Sequence, residues 1–268
     1  MRLVAPLLLL ASLLSTACGS DSGDPPSNGG VPPAGGKEKR ISDISDPTAP
    51  GHALMVSTTQ SVSGAIVLAV DKYDETTDGK SLGTIYVQDV GATKPYSGIT
   101  LYAPTFSPGN LSISSGDVLD MRGQYAEITS IGATVTFAPG TFLPQMAKPV
   151  ATFRFETRVP DPVDIDVADL ADFTKGRQWM GMLVRVKNIT LSADAVADAK
   201  GRVNVSLTPG SSAKCTAPFP KPPSLTNALF DLASLNLKQG TKLTSIVGLV
   251  DFFCNLQLAP RSEADIQR

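Results

Sequence analysis

Side chains able to move protons or hold metals are few in this chain, and their spacing limits the chemistry it can run. The one histidine is His52, set in Pro50-Gly51-His52. Histidine is the usual base for Ser or Cys nucleophiles and the commonest zinc ligand. A single copy at the edge of a polar segment therefore counts against a catalytic triad and against a zinc hydrolase site. An enzyme built on this sequence would have to work with carboxylates alone, as glycosidases do. Asp161, Asp164, Asp166, Asp169 and Asp172 form an acidic stretch. Pro160, Pro162 and the run Val167-Ala168-Asp169-Leu170-Ala171 read instead as a connection between domains that leads into a capped helical turn. Asp74, Thr76 and Asp78 alternate before Gly79 as the first ligands of an EF-type calcium loop do, yet the place of the bidentate glutamate falls on Ile85, inside a strand pattern. What remains is a polar hairpin with Asp78-Gly79 at its tip. No catalytic residue and no metal ligand set is expected.

The elements that must position any such groups begin with an exported leader. Arg2, an almost wholly apolar Leu7 to Leu14, and Ser15-Thr16-Ala17-Cys18 form a charged start, a short greasy core and small residues before a cysteine. That is the layout of a secretory signal over residues 1–17. The greasy core falls well short of the roughly 20 residues that a membrane-spanning helix needs. Cys18 resembles the lipobox cysteine of bacterial lipoproteins, whose thiol takes a diacylglycerol and whose freed amine is then acylated. Ser15 stands where that family prefers a large aliphatic residue, with Leu14 one place further out. The resemblance implies a covalent acyl lipid on Cys18 as the sole attached group and a membrane as the first partner. Each buried methylene contributes about 0.8 kcal/mol, so two or three chains anchor stably. Because Gly19 rather than Asp follows, the resemblance further implies the outer membrane of a bacterial envelope, at its periplasmic face or the cell surface. Residues 19–40 hold one aliphatic side chain larger than alanine, Val31. Such a stretch cannot bury enough apolar area to offset its chain entropy, so a tether is expected over 18–45. With Cys18 acylated, two of the three cysteines remain, Cys215 and Cys254. In an oxidising envelope a leftover pair favours a disulfide, the alternative being two buried free thiols.

The rest of the chain suits one large or two small domains, and a 42% hydrophobic content is enough for a core. The net charge is −2, and loss of Arg2 with the leader takes it to −3. A protein holding nucleic acid mainly by neutralising phosphates would carry a basic surplus; the longest basic cluster is Lys37 to Arg40. Between residues 60 and 260, short β-branched runs alternate with Gly, Pro, Asn and Asp, which predicts an all-β sandwich or barrel. Strands are expected over 62–70, 84–89, 99–102, 117–128 and 133–137, then over 181–191, 202–207, 241–253 and 255–258. Gly116 to Gly123 and Gly240 to Gly248 each run from a turn glycine through a strand to a strand glycine, the mark of a sharp bend, so the two sets read as copies of one unit. Leu225 to Leu237 has apolar residues near helical spacing. In the first copy Pro104, Pro108 and Gly109 stand at that place.

Gly83-Thr84-Ile85-Tyr86-Val87-Gln88-Asp89, Gly116-Asp117-Val118 with Gly123, Gly181 to Asn188 and Leu258 to Ile266 occur in an order that resembles the OB-fold modules of secreted bacterial proteins, often found beside extracellular nuclease or phosphatase domains. The resemblance spans most of 60–266, and the catalytic domain that often accompanies such modules is not within this sequence. It implies two tandem OB-like small β-barrels, over 46–160 and 161–268, with at most one or two short helices. OB-folds bind ligands across the face of their second and third strands, which makes Tyr86, Gln88, Tyr96 and Tyr102 the candidate ligand-binding residues; the alternative is that they cover the barrel rim. Trp179 and Phe173 are expected where the barrels meet, and strand alternation splits Phe252 and Phe253 between core and outer face. The expected function is a non-catalytic envelope lipoprotein whose barrels bind a protein or glycan partner. The alternatives are an accessory nucleic-acid-binding module for an extracellular nuclease and a carboxylate-only hydrolase.

Overall fold

A computed structural model describes residues 39–71, 83–102, 113–131, 134–210 and 214–268. The leader, Cys18, the tether up to residue 38, the calcium-like loop at 74–79 and Pro104 to Gly109 lie outside the described residues.

The described chain is mostly β. In the first half β1 (Thr59–Val70), β2 (Ile85–Asp89), β3 (Gly98–Tyr102) and β4 (Asp117–Ile128) are followed by a two-stranded excursion, β5 (Ser130–Ile131) and β6 (Val135–Thr136), and then by β7 (Leu143–Glu156). Hydrogen bonding runs β1-β2-β3-β7-β4 and returns from β4 to β1, so the pairing closes on itself. β3 and β7 pair in parallel, whereas the other four contacts are antiparallel. The second half contributes β8 (Val163–Asp164), β9 (Leu183–Thr190), β10 (Asn204–Ser206), β11 (Ser224–Thr226), β12 (Lys242–Phe253), β13 (Asn255–Ala259) and β14 (Ile266–Gln267). Their order is β10-β11-β13-β12-β9-β8, with β14 added to β12 and β11 parallel to β13. This second sheet does not close. β9 and β10 are joined at their ends through Ser192, whose N–H (3.5 Å) and hydroxyl (2.9 Å) both reach Ser206 O.

Several sequence expectations change here. A pair of closed barrels was expected, but only the first sheet closes by pairing. Its fifth strand is β7, not 133–137, where β6 covers two residues. β7 escapes the strand pattern because Pro144, Lys148, Pro149 and Arg154 interrupt its apolar alternation; register shifts against β4 between Val118/Leu119 and between Arg122/Gln124 accommodate those interruptions. The helix-like spacing of Leu225 to Leu237 resolves into β11 and a 3-10 turn, Leu232–Leu235. Short helices exceed the one or two expected, since α1 (Ile41–Ser45), α2 (His52–Met55) and α3 (Phe173–Gly176) occur beside 3-10 turns at Val167–Ala171, Arg177–Trp179, Leu232–Leu235 and Glu263–Asp265. The strand glycines mark close approaches of neighbouring elements. A Cβ on Gly123 would stand 2.6 Å from Met146 Cγ, and one on Gly248 2.9 Å from Leu258 Cγ.

Three apolar clusters organise these elements. One fills the first sheet, with Val67, Val87, Leu101, Leu119 and Met146. Another fills the second, with Val186, Leu225, Val250, Leu256 and Leu258. The third lies between their flanks and joins Ile66, Leu68, Tyr86 and Val118 of the first sheet to Leu183 and Leu249 of the second. β1 feeds two of them. Its run Gly64-Ala65-Ile66-Val67-Leu68 lacks polar alternation, so Ala65 and Val67 point inward while Ile66 and Leu68 point to the seam.

Residues 39–45, expected as tether, are built into the fold. Lys39 bridges to Val62, and Ile41 and Ile44 of α1 are fully buried in the first cluster. Asp89 holds α1 in place, its carboxylate accepting from Ile41 N at 2.8 Å and Ser42 N at 3.1 Å, two of the donors that a helix start leaves unpaired.

Candidate functional site

Three of the four candidate ligand-binding residues, Tyr86, Gln88 and Tyr96, sit along the seam between the sheets, and Tyr86 and Gln88 are off the surface. Tyr86 is 1% exposed, and its hydroxyl hydrogen-bonds the Asp251 carboxyl, which burial pushes up from the ordinary carboxylate range. Gln88 is equally buried; its Oε1 accepts from Leu183 N at 3.2 Å and its Nε2 donates to Ala92 O at 2.6 Å. The expectation that this strand face is open for ligand is corrected: in the first sheet it is covered by the second. Tyr96 is half-buried at φ +62°, and its N–H donates to Gln178 O at 2.6 Å. Tyr102 is half-buried at the end of β3.

Backbone approaches backbone where the seam is tightest. A Cβ on Gly98 would stand 2.5 Å from Gly181 C, 2.6 Å from Met182 N and 2.7 Å from Met180 O. Gly181 reciprocates at φ +72°, a conformation that favours glycine. The excursion between β4 and β7 adds to the contact. Phe137 enters the second cluster edge-on to Phe252 at 4.8 Å, Phe142 meets Phe173 at 5.8 Å, and Phe219 joins Phe173 at 5.5 Å. Phe173 therefore lies where the two halves meet, as expected, while Trp179 is half-buried against the second cluster. Phe252 is in the core, while Phe253 faces outward beneath the Arg202 guanidinium at 5.2 Å.

His52 is 9% exposed rather than loose at the tether's edge. Its Nε2 lies 3.0 Å from Glu127 Oε1, which also accepts from Arg177 Nη2 at 2.9 Å and from the Tyr125 hydroxyl at 2.9 Å. Burial raises the Tyr125 phenol, and the Glu127 charge raises it further. The Arg177 guanidinium stacks 3.8 Å over the Phe142 ring. This cluster ties α2, the end of β4 and the connector between the sheets. Glu127 and Arg177 were not singled out from the sequence, since Glu127 lies 75 residues from His52 and 50 from Arg177.

The acidic stretch is occupied with local tasks. Asp166 and Asp172 cap the turns that follow them, accepting from Ala168 N at 2.9 Å and Lys175 N at 3.1 Å, which is the capped helical connection expected. Asp164 accepts from Lys187 at 2.6 Å and Arg185 at 3.1 Å, and these cations hold its carboxyl below the usual range. Asp161 pairs with Arg158. Among the described residues no group of three or more His, Cys, Asp or Glu side chains is arranged to hold a metal ion.

Cys215 and Cys254 form a disulfide across 39 residues. On the open side of the seam, a cleft of about 390 Å³ is walled by Leu68, Ala69, Val70 and Ser115 of the first half and Leu229, Arg261 and Ser262 of the second. Arg261 is fixed by Asp265, which accepts from its N–H at 2.9 Å, its Nε at 3.1 Å and its Nη2 at 3.1 Å. The cleft is lined by apolar side chains, two serines and an ion-paired guanidinium. Comparison with protein-family models, curated proteins and solved structures finds no match for this chain.

Proposed function

We propose that this chain is a lipid-anchored protein of a bacterial envelope, acylated at Cys18 and held at the outer membrane, whose two OB-like modules form one body that binds a protein or glycan partner without turning it over. The strand orders favour the OB-like reading. In chain order the first sheet pairs 1-2-3-5-4-1 and the second 2-3-5-4-1, each with its third and fifth strands parallel. The observation that carries the binding reading is the seam cleft. Leu68, Val70 and Leu229 supply apolar walls, Ser115 and Ser262 supply hydroxyls, and Arg261 is already ion-paired. Concave, mostly apolar sites with a few fixed polar groups, set at the junction of two modules, are where proteins hold ligands.

Labelled palmitate is expected to enter the wild-type chain in a bacterial host and not its Cys18→Ala form. The lipidated full chain in detergent is expected to retain a glycan or peptide from a mixed array that also carries single-stranded DNA, and to lose it on Leu229→Glu. Equal labelling of both forms, or array binding indifferent to Leu229→Glu, refutes the respective half of the proposal.

A further inference from the structure

Lys221 is fully buried at 1% exposure, on the segment joining β10 to β11. An ammonium is among the most expensive groups to bury without a counter-charge. Among the described residues no carboxylate lies within ion-pair distance of it. Its Nζ donates instead to two main-chain carbonyls, Cys254 O at 2.6 Å and Cys215 O at 3.0 Å, and sits 5.2 Å from the Phe219 ring centroid. Both carbonyls belong to the residues of the disulfide. Burial accordingly holds the Lys221 amine below the ordinary lysine range.

The two acceptors are fixed by different means. Cys254 is the turn residue between β12 and β13, so its carbonyl stays in place whatever its sulfur does. Cys215 lies outside every described strand, in a turn closed by Ala217 N to Lys214 O. Its sulfur bond to Cys254 ties this turn to the β12–β13 corner. Lys221 itself is pinned at the main chain, where its N–H donates to Ala171 O at 2.9 Å, while its long side chain is free to turn toward water once an acceptor is lost.

We propose that the disulfide and Lys221 form a redox-gated latch, in which the closed bridge sequesters the lysine and reduction releases it as an exposed, modifiable amine. The step requires an external dithiol. It gives two electrons and two protons, the sulfur–sulfur bond breaks, Cys215 and Cys254 each become a thiol, and the dithiol closes to its own disulfide. The Cys215 carbonyl then leaves, and the ammonium follows it into solvent. Nothing in this device depends on acylation at Cys18 or on the partner proposed for the cleft.

The test is brief acetylation of the full chain, with and without a dithiol, quantified lysine by lysine by mass spectrometry. Lys221 is expected to be protected in the oxidised chain and to react about tenfold faster on reduction, while exposed Lys200 and Lys242 change little and the main-chain amides of β1 and β9 keep their exchange protection, the signature of a local opening. A chain with Cys215→Ser and Cys254→Ser is expected to match the reduced state with no reductant present. Protection of Lys221 persisting after both thiols are alkylated, or release only together with loss of β9 protection, overturns the latch.

Discussion

Replacing Gly98 by alanine tests whether the seam is a fixed contact. The added Cβ would lie 2.5 Å from Gly181 C, 2.6 Å from Met182 N and 2.7 Å from Met180 O, whereas carbon atoms pack comfortably at about 3.5 Å or more. The sheets would have to part by about 1 Å there, and each side is main chain that cannot rotate away. Met180 bridges to Val250, Met182 N is bonded to Trp179 O, and Gly98 is paired with Gln88. Overpacking of this kind costs about 3 kcal/mol, at the upper end of its usual range. With an m-value of about 3 kcal/mol per molar for a chain of this size, the urea midpoint should fall by about 1 M. Gly201→Ala is the matched control, because Gly201 has φ +76° with nothing within 4 Å of its Cβ position. It carries backbone strain without a clash, worth about 1 kcal/mol. A Gly98→Ala loss no larger than that of Gly201→Ala would mean that the halves slide freely, and the seam argument would fail.

Burial raises the Asp89 carboxyl from 3.8 to about 6, against the opposing pull of its hydrogen bonds from Ile41 and Ser42. A raised acid favours the fold when protonated, so this contribution is fully present below about pH 4 and is lost as pH rises through about 6, a swing of about 3 kcal/mol. Urea unfolding of wild type and Asp89→Asn at pH 4, 5.5 and 7 should show the wild type gaining on the variant toward acid; parallel profiles would disprove the burial assignment. Phe137→Ala removes a ring contributed by the first half to the core of the second, at 4% exposure and 4.8 Å from Phe252. A loss of about 3 to 5 kcal/mol is expected, with amide exchange rising in β9 and β12 before β1; a loss below about 1 kcal/mol would show that the excursion merely rests on the second sheet.

How much of this was legible depended on how local each cause was. β4 matches the expected 117–128 because its turn glycine and its inward residues Leu119, Met121 and Tyr125 all act within one strand. β7 was missed because Pro149 and Lys148, at φ +47°, sit in an irregularity of the strand, and such irregularity has no period to detect. Tyr86 and Gln88 were placed on the correct strand and on the wrong surface. Nothing local says that a second sheet covers them, although the unbroken apolar run of β1 is the sequence trace of a flank buried on both sides. His52 was misplaced for the same reason, since its burial rests on Glu127, far along the chain. The disulfide was legible from counting cysteines, whereas Lys221 was not, because a lysine among prolines ordinarily reads as exposed.

The seam also accounts for the shape of the cleft. Parting the sheets would break Gln88 to Leu183, Tyr96 to Gln178 and Tyr86 to Asp251, and would withdraw Phe137 from the second core, all in one motion. These contacts are spread over β2, the 92–98 turn and the 129–142 excursion, so no single hinge relieves them. Leu68 and Val70 are therefore held opposite Leu229 and Arg261 before any partner arrives. On the binding role proposed above, a preformed cleft would give up little conformational entropy when it is filled. The face of the first sheet that carries Tyr86 and Gln88 is covered by the same packing, so the cleft exists only because the two halves are joined.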